Sequence, residues 1–230
     1  MSPPSPRTGF LAVVSGPSGS GKTTLCRKAV ETDGCFHSIS CTTRAPRTGE
    51  VDGVDYHFLS RDEFLARTVR GDFLEWARVH GNFYGTLRSD VLDHIEAGRD
   101  VVMDIDVQGA QLVRACEDPF IRAAVIDIFI LPPSMAELES RLSGRGTESE
   151  DQLRLRLYNA LDEMRHWREY RYTIVSGSPD EDLERFLCLL RAARLRTAGL
   201  RTPEGLLGGE AATAADDEPT PPRREPELFS

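Results

Sequence analysis

Residues 10–23 read FLAVVSGPSGSGKT. Phe10 to Val14 is a β-rich apolar run that stops at Ser15-Gly16, and a helix is expected from about Thr23 to Glu31. Between them, residues 16–23 match G-x-x-x-x-G-K-[ST]. A loop of this kind, placed after a strand and before a helix, cradles phosphate groups. Gly16, Gly19 and Gly21 permit backbone turns that a Cβ would block. Successive N–H groups then point into one cavity, and the helix N-terminus adds positive potential. The expected cradle comprises Gly16, Pro17, Ser18, Gly19, Ser20, Gly21, Lys22, Thr23 and Thr24. Lys22 would act as a point charge between β- and γ-phosphates, and Thr23 would offer its hydroxyl to Mg²⁺. ATPases, GTPases and small-molecule kinases share such a loop, so the rest of the site must decide the reaction.

Working outward, strands and helices alternate. Asp100–Ile105 and Ala124–Leu131 read as buried strands, and Tyr172–Val175 as the last one. Ser60 with Glu63, Ser134 with Glu137 and Ser149 with Gln152 each have capping-box spacing. The last of these should open a helix running to about Arg168. Ser178-Pro179-Asp180-Glu181 combines an N-cap, a proline at N1 and a glutamate at N3, a strong start for a helix to about Leu195. The pattern predicts an α/β fold, a parallel sheet with helices on both faces. Between His37 and Ala97 the texture changes to short strand-like pieces (His37–Ser40, Tyr56–Leu59, Phe73–Ala77) and two helices, one opened by Ser60 and one over Ser89–Ala97. Residues 1–8 and 197–230 lack periodicity and are expected to be disordered; the second stretch holds three arginines against seven acids.

The 230 residues suit one α/β domain. A net charge of −9 argues against a nucleic-acid partner, so phosphate chemistry must rest on a few local cations. The five cysteines are scattered and form no C-x-x-C pair, which points to a reducing cytoplasm with neither disulfides nor a zinc site. The apolar runs are too short to span a bilayer and the first residues lack the apolar centre of a signal peptide, so no membrane partner is expected. The chain would be a monomer or a homo-oligomer.

Residues 40–57 read SCTTRAPRTGEVDGVDYH. Arg44 and Arg47, three apart in a loop bounded by Pro and Gly, suit a bidentate grip on a phosphate dianion. Tyr56 and Tyr84 could add phenol donors. Glu75 lies in a predicted strand beside Trp76. A carboxylate there can accept two N–H bonds from guanine N1 and N2, whereas adenine turns a lone pair toward it.

With these stretches, and with GDFLEWARVHGNFYGT, DVVMDIDVQGA, ILPPS and RLSGRGTESE, the chain closely resembles the guanylate kinase family from about Phe10 to Arg194. The resemblance implies a P-loop nucleoside monophosphate kinase fold that moves the γ-phosphoryl group of Mg-ATP to GMP. It implies a core at 9–36, 98–142 and 156–196, a GMP-binding subdomain at 37–97 and a lid at 143–155. It assigns Ser40, Arg44, Arg47, Glu50, Tyr56, Glu75, Tyr84, Thr86 and Asp106 to the GMP pocket. Within that set, Arg44, Arg47, Tyr56 and Tyr84 would hold the phosphate, and Glu75, Ser40 and Thr86 would read the guanine. Arg141, Arg145 and Arg156 look like lid and phosphate-stabilising arginines, and Asp104 like a partner of the Mg²⁺ shell. Two departures stand out. Leu87 replaces a proline of many relatives, and Ser176-Gly177-Ser178-Pro179 stands where the family usually has an Asn-Asp pair. That second stretch borders the adenine ring, which bears on donor choice. A family-like scaffold module without catalysis would have a damaged phosphate loop. A ribose-phosphate kinase of the same fold would leave Glu75, Ser40 and Thr86 without purpose.

Overall fold

The computed structural model describes residues 7–79, 81–143 and 150–201. His80, the expected lid residues 144–149 with Arg145 and the Ser149 cap, and the termini at 1–6 and 202–230 lie outside the described residues. The chain runs β1 (Leu11–Ser15), α1 (Lys22–Asp33), β2 (Phe36–His37), β3 (Cys41–Thr42), β4 (His57–Phe58), α2 (Arg61–Arg70), β5 (Phe73–Val79), β6 (Asn82–Leu87) and α3 (Arg88–Glu96). It continues through β7 (Val101–Asp104), α4 (Val107–Arg114), α5 (Pro119–Ala124), β8 (Val125–Leu131), α6 (Met135–Ser143), α7 (Glu150–Met164), β9 (Tyr172–Val175) and α8 (Pro179–Ala193).

Five strands form a parallel sheet in the order β2-β7-β1-β8-β9. Strand β1 lies at its centre, and all five of its residues are buried. Side chains alternate between faces along a strand. Ala12 and Val14 of β1 therefore join Ile126, Ile128 and Ile130 of β8 against α1 and α8. Leu11 and Val13 join Val101, Met103 and Phe129 on the other face, against α3, α4 and α5. Burial on both faces explains the continuous apolar runs that mark these strands in the sequence.

Four strands form a second sheet, β4-β3-β6-β5. Its own small core is aromatic: Phe64 of α2 stacks on Phe73 at 4.3 Å and on Phe83 at 5.4 Å. The Ser60 cap holds, with its hydroxyl accepting from the Glu63 N–H at 3.1 Å. Strands β3 and β6, and helices α4 and α5, have no counterpart among the elements expected from sequence, and of the expected strand His37–Ser40 only His37 lies in one. Asn82–Leu87 carries a glycine at its centre and no clear alternation, and its pairing with β5 makes it a strand. Leu87 ends that strand opposite Phe73 and packs on the aromatic core. Helix α7 stops at Met164, and a 3₁₀ turn at Arg165–Glu169 covers the rest of the expected helix. The capping box of Ser178 and Glu181 at the start of α8 is complete.

The two ends of the described chain meet. The Thr8 N–H donates to the Gly199 carbonyl at 2.8 Å, and Arg7 bridges to Leu200. Residues 7–8 and 197–201 thus carry structure where the sequence suggests none. Beneath them Asp100, with a side chain 4% exposed, accepts from Arg7 Nη1 at 2.6 Å, Arg7 Nη2 at 2.9 Å and Arg194 Nε at 2.8 Å. Arg194 also reaches Asp33 at the end of α1. This cluster ties the entry to β7 to the N-terminal segment, α1 and α8. Removing one partner of a buried ionic cluster leaves the other charges uncompensated and costs about 3 kcal/mol. Asp100→Ala is therefore expected to lower the unfolding free energy by that order, seen as a lower urea midpoint with an unchanged m-value; an unchanged midpoint would contradict the role given to the cluster.

Candidate active site

The phosphate loop leaves the C-terminal edge of β1 and enters α1. Gly19 and Gly21 have φ of +86° and +89°, a region that disfavours any side chain. Gly21 is the N-cap of α1 and has no side chain to cap it. The N–H groups of the first turn, beginning at Lys22, therefore have no intrahelical partner and face out of the helix end. Ser20 is buried, and its Oγ finds no hydrogen-bond partner among the described residues. A buried orphan hydroxyl beside an uncapped helix start fits an anion. Thr23 Oγ1 donates to Asp104 Oδ2 at 2.5 Å, so the hydroxyl at the loop's end meets the carboxylate at the end of β7.

Asp104 also lines a cavity of about 200 Å³ with Ser40, Tyr56, Glu75, Tyr84, Ile105 and Asp106. Strand β5 presents Glu75, Ala77 and Val79 to it at period two, while Trp76 and Arg78 face outward. The phase is set by a bulge: Phe73 pairs with Leu87 but Glu75 already pairs with Thr86. The extra residue re-aims the strand. Glu75 is 7% exposed. Its Oε1 accepts from the Thr86 hydroxyl at 2.8 Å, and Ser40 Oγ lies 3.4 Å from the same hydroxyl. Burial pushes the Glu75 carboxyl up to about 7; the Thr86 hydrogen bond opposes this, and the Asp106 charge adds to it. Asp106 spends one oxygen on capping α4, accepting from the Gly109 N–H at 2.7 Å. Gly109 allows that helix to close on the pocket, since a Cβ there would lie 3.1 Å from Glu75 Oε2.

At the pocket's outer end Arg44 Nη2 pairs with Glu50 Oε1 at 2.8 Å, and the Arg47 N–H donates to Glu50 Oε2 at 2.7 Å. These bonds, that from Arg44 first, hold the Glu50 carboxyl below its usual range. The Arg44 guanidinium lies over the Tyr56 ring at 5.4 Å, and the Tyr56 and Tyr84 rings meet edge to face at 6.1 Å. Arg44, Glu50, Tyr56 and Tyr84 thus come together as one group, and Arg47 joins it through its backbone.

On the far side of the phosphate loop, a second cavity of about 290 Å³ is lined by Gly19, Gly21, Thr24, Lys28, Ile130, Arg141, Ser176, Gly177 and Asp182. Arg141 reaches it from α6, and Arg156 of α7 donates to Ser18 Oγ at 2.8 Å. Two residues here, Glu163 and Asp182, escape the sequence reading. Glu163 is partly buried, and its carboxyl is raised by burial, lowered by Lys22 and raised by Asp106. Ser176 and Asp182 are buried and joined at 2.8 Å. Ser176 was within sequence reach as a departure from a family pattern. Asp182 had no local signal, because it lies among the acids of an ordinary helix start.

A family model described as guanylate kinase matches residues 9–193. The guanylate kinase of Dechloromonas aromatica is 47% identical over 200 residues, covering 86% of this chain and 96% of that one. The guanylate kinase of Paramagnetospirillum magneticum is 46% identical over 191 residues, covering 83% and 87%. The crystal structure of guanylate kinase from Anaplasma phagocytophilum superposes with a TM-score of 0.67 at 35% identity, covering 84% of this chain and 90% of that one. A phosphate loop sharing Asp104 with a carboxyl-lined pocket, on a fold with relatives of such identity and coverage, means that the chain belongs to the guanylate kinase family.

Proposed function

We propose that the chain transfers the γ-phosphoryl group of ATP, as its Mg²⁺ complex, to GMP, giving ADP and GDP. The observation that carries this reading is Asp104. It lines the Glu75 cavity and accepts from the phosphate-loop hydroxyl of Thr23, so it joins an acceptor pocket to a donor loop. Thr23 and Asp104 are hard oxygen donors of the kind Mg²⁺ takes, and they would hold the ion there. When bound, Mg²⁺ neutralises phosphate charge.

The residues of the chain divide the remaining work. Lys22 and the loop N–H groups bind the donor phosphates. Arg44, Arg47, Tyr56 and Tyr84 hold the acceptor phosphate, with Glu50 orienting Arg44. Glu75, supported by Thr86 and Ser40, accepts guanine N1–H and the N2 amino group, with Asp106 beside it. The acceptor's second pKa is near 6, so most GMP is already dianionic at neutral pH and no general base is required. What remains is to bring two anions together and stabilise charge on the moving group. Arg141 and Arg156, both beside the phosphate loop, suit that task, and Arg145 is assigned to it by resemblance. The core at 9–36, 98–142 and 156–196, the GMP-binding part at 37–97 and the lid at 143–155 follow the same reading. Cytoplasmic residence fits the buried free thiols of Cys26, Cys35 and Cys41. Among the described residues no helix is long and apolar enough to cross a membrane. A coupled assay with GMP, AMP and ribose phosphate as acceptors tests the function: turnover with GMP alone supports it, and preference for either other acceptor refutes it.

Lys22→Ala should leave the fold intact and remove nearly all turnover, because a cation on the transferring group is lost. A folded variant that keeps most of its kcat would misplace the donor site.

Glu75→Gln keeps the size of the side chain, removes its charge and offers adenine N1 a donor. GMP efficiency should fall by at least about 1–3 kcal/mol in kcat/KM, and AMP efficiency much less, so the GMP:AMP ratio shrinks. Arg44→Lys should weaken both acceptors together. An unchanged ratio in Glu75→Gln would remove the assignment of guanine reading to this residue.

The raised Glu75 pKa gives a pH signature. Guanine needs the carboxylate, so kcat/KM for GMP should climb as pH rises through about 7, and Glu75→Gln should lose that step. Stability runs the other way. The folded pKa lies above the unfolded value, so folding favours the neutral acid, and this contribution is lost as pH rises from about 4.5 through about 7. Glu75→Gln should therefore match the parent's melting temperature at pH 4 and exceed it at pH 8, by up to about 3 kcal/mol of stability. Equal stability differences at both pH values would contradict the burial of the charge.

A further inference from the structure

The donor-side cavity is walled on one side by a polar chain of which the proposed reaction uses only Arg141. It runs from Glu137 and Arg141 on α6 to Ser176 at the end of β9 and Asp182 on α8. We infer that Ser176 and Asp182 are positioning residues that hold Arg141 beside the phosphate loop. The inference rests on the reading of Arg141 as a phosphate-stabilising arginine.

Along its own helix Arg141 is restrained by Glu137, four residues earlier, at 2.8 Å. That pair is 28% and 46% exposed, and an exposed pair of long side chains fixes little geometry. The second restraint differs in kind. Arg141 Nη1 donates to Ser176 Oγ at 3.1 Å, and Ser176 is only 3% exposed. A serine hydroxyl rotates and can present either its hydrogen or its lone pairs. Here Asp182 Oδ2 takes the hydrogen at 2.8 Å, so the lone pairs are left to face the guanidinium. Asp182 is fixed in turn, because its Oδ1 accepts from the Gly177 N–H at 2.8 Å and lies 3.5 Å from Arg185 Nη1. The Ser176 N–H donates to the Leu131 carbonyl at 2.8 Å, which pins the residue to the edge of β8. The guanidinium is thereby anchored to the central sheet as well as to its own helix. A flexible side chain becomes one held in place before the donor arrives, the condition for stabilising charge without reorganisation.

A purely structural role, closing the turn between β9 and α8, would use the same bonds. A mutant cycle with steady-state kinetics for ATP and GMP separates the two. Ser176→Ala is expected to lower kcat about tenfold, the order of one hydrogen bond, and to leave KM for GMP unchanged. Ser176→Thr, which keeps the hydroxyl, should restore kcat. In an Arg141→Ala background Ser176→Ala should cause no further loss, because the group it positions is gone. Asp182→Asn, which keeps the shape but weakens the hold on the rotor, should follow the same pattern and carries the cycle if Ser176→Ala does not fold. A Ser176→Ala enzyme with the parent's kcat, or a loss that persists in full without Arg141, would overturn the inference. If Arg141→Ala itself keeps the parent's kcat, the role of Arg141 and this inference fall together, while GMP phosphorylation by the parent enzyme stands or falls on its own assay.

Discussion

Everything at the site depends on the parallel register of β1 with β7 and β8. Parallel neighbours deliver their carboxyl ends to one edge of the sheet, and ligands of such sheets gather at that edge. Val14 lies in register with Asp104 and with Ile128. The phosphate loop that follows β1 therefore emerges beside Asp104, and Thr23, eight residues beyond Ser15, meets that carboxylate directly. Strand β9 continues the same register beyond β8, and it brings Ser176 to the donor side of the same edge. Were β1 not buried on both faces, nothing would hold these loops at a common level.

The acceptor pocket is assembled differently, from an antiparallel hairpin seated against the N-terminus of α4. Here the physical tension is over one charge. Glu75 sits in a bulged strand, under a helix that approaches closely at Gly109, where a Cβ would lie 3.1 Å from Glu75 Oε2. Burial makes the carboxylate costly, and Asp106 makes it costlier still. Thr86 opposes this through its hydroxyl, which donates to Glu75 Oε1, and through its backbone. A group held in so unfavourable a state is poised to gain from a ligand that brings N–H donors. Functional pockets concentrate perturbed carboxyls for this reason.

The donor side is divided. On one wall Arg141, Ser176, Asp182 and the Gly177 N–H already satisfy one another, and this network keeps its geometry without a ligand. On the other, Ser20 Oγ and the uncapped start of α1 are left in need of an anion.

The phosphate loop was legible in the sequence because its chemistry is local: the glycines, the lysine and the threonine act within eight residues, and their spacing alone fixes the turn. The buried strands of the central sheet were legible because burial on two faces leaves an unbroken apolar run, and the start of α8 because a capping box is a contact between near neighbours. Other features depended on partners far along the chain. Asn82–Leu87 is a strand through pairing with β5, not through its own propensities. Helix α4 could have been suspected from Val107, Ala110 and Val113, but its cap is the same Asp106 that reads as a pocket acid. No residue near Asp182 announces that it will meet Ser176 and, through it, an arginine on another helix. By itself the sequence determined which segments bury apolar surface and which loop binds phosphate, since both follow from neighbours along the chain. Only the tertiary structure decided which acids share a wall with that loop and which arginine is held beside it, because those distances are set by sheet order and helix packing.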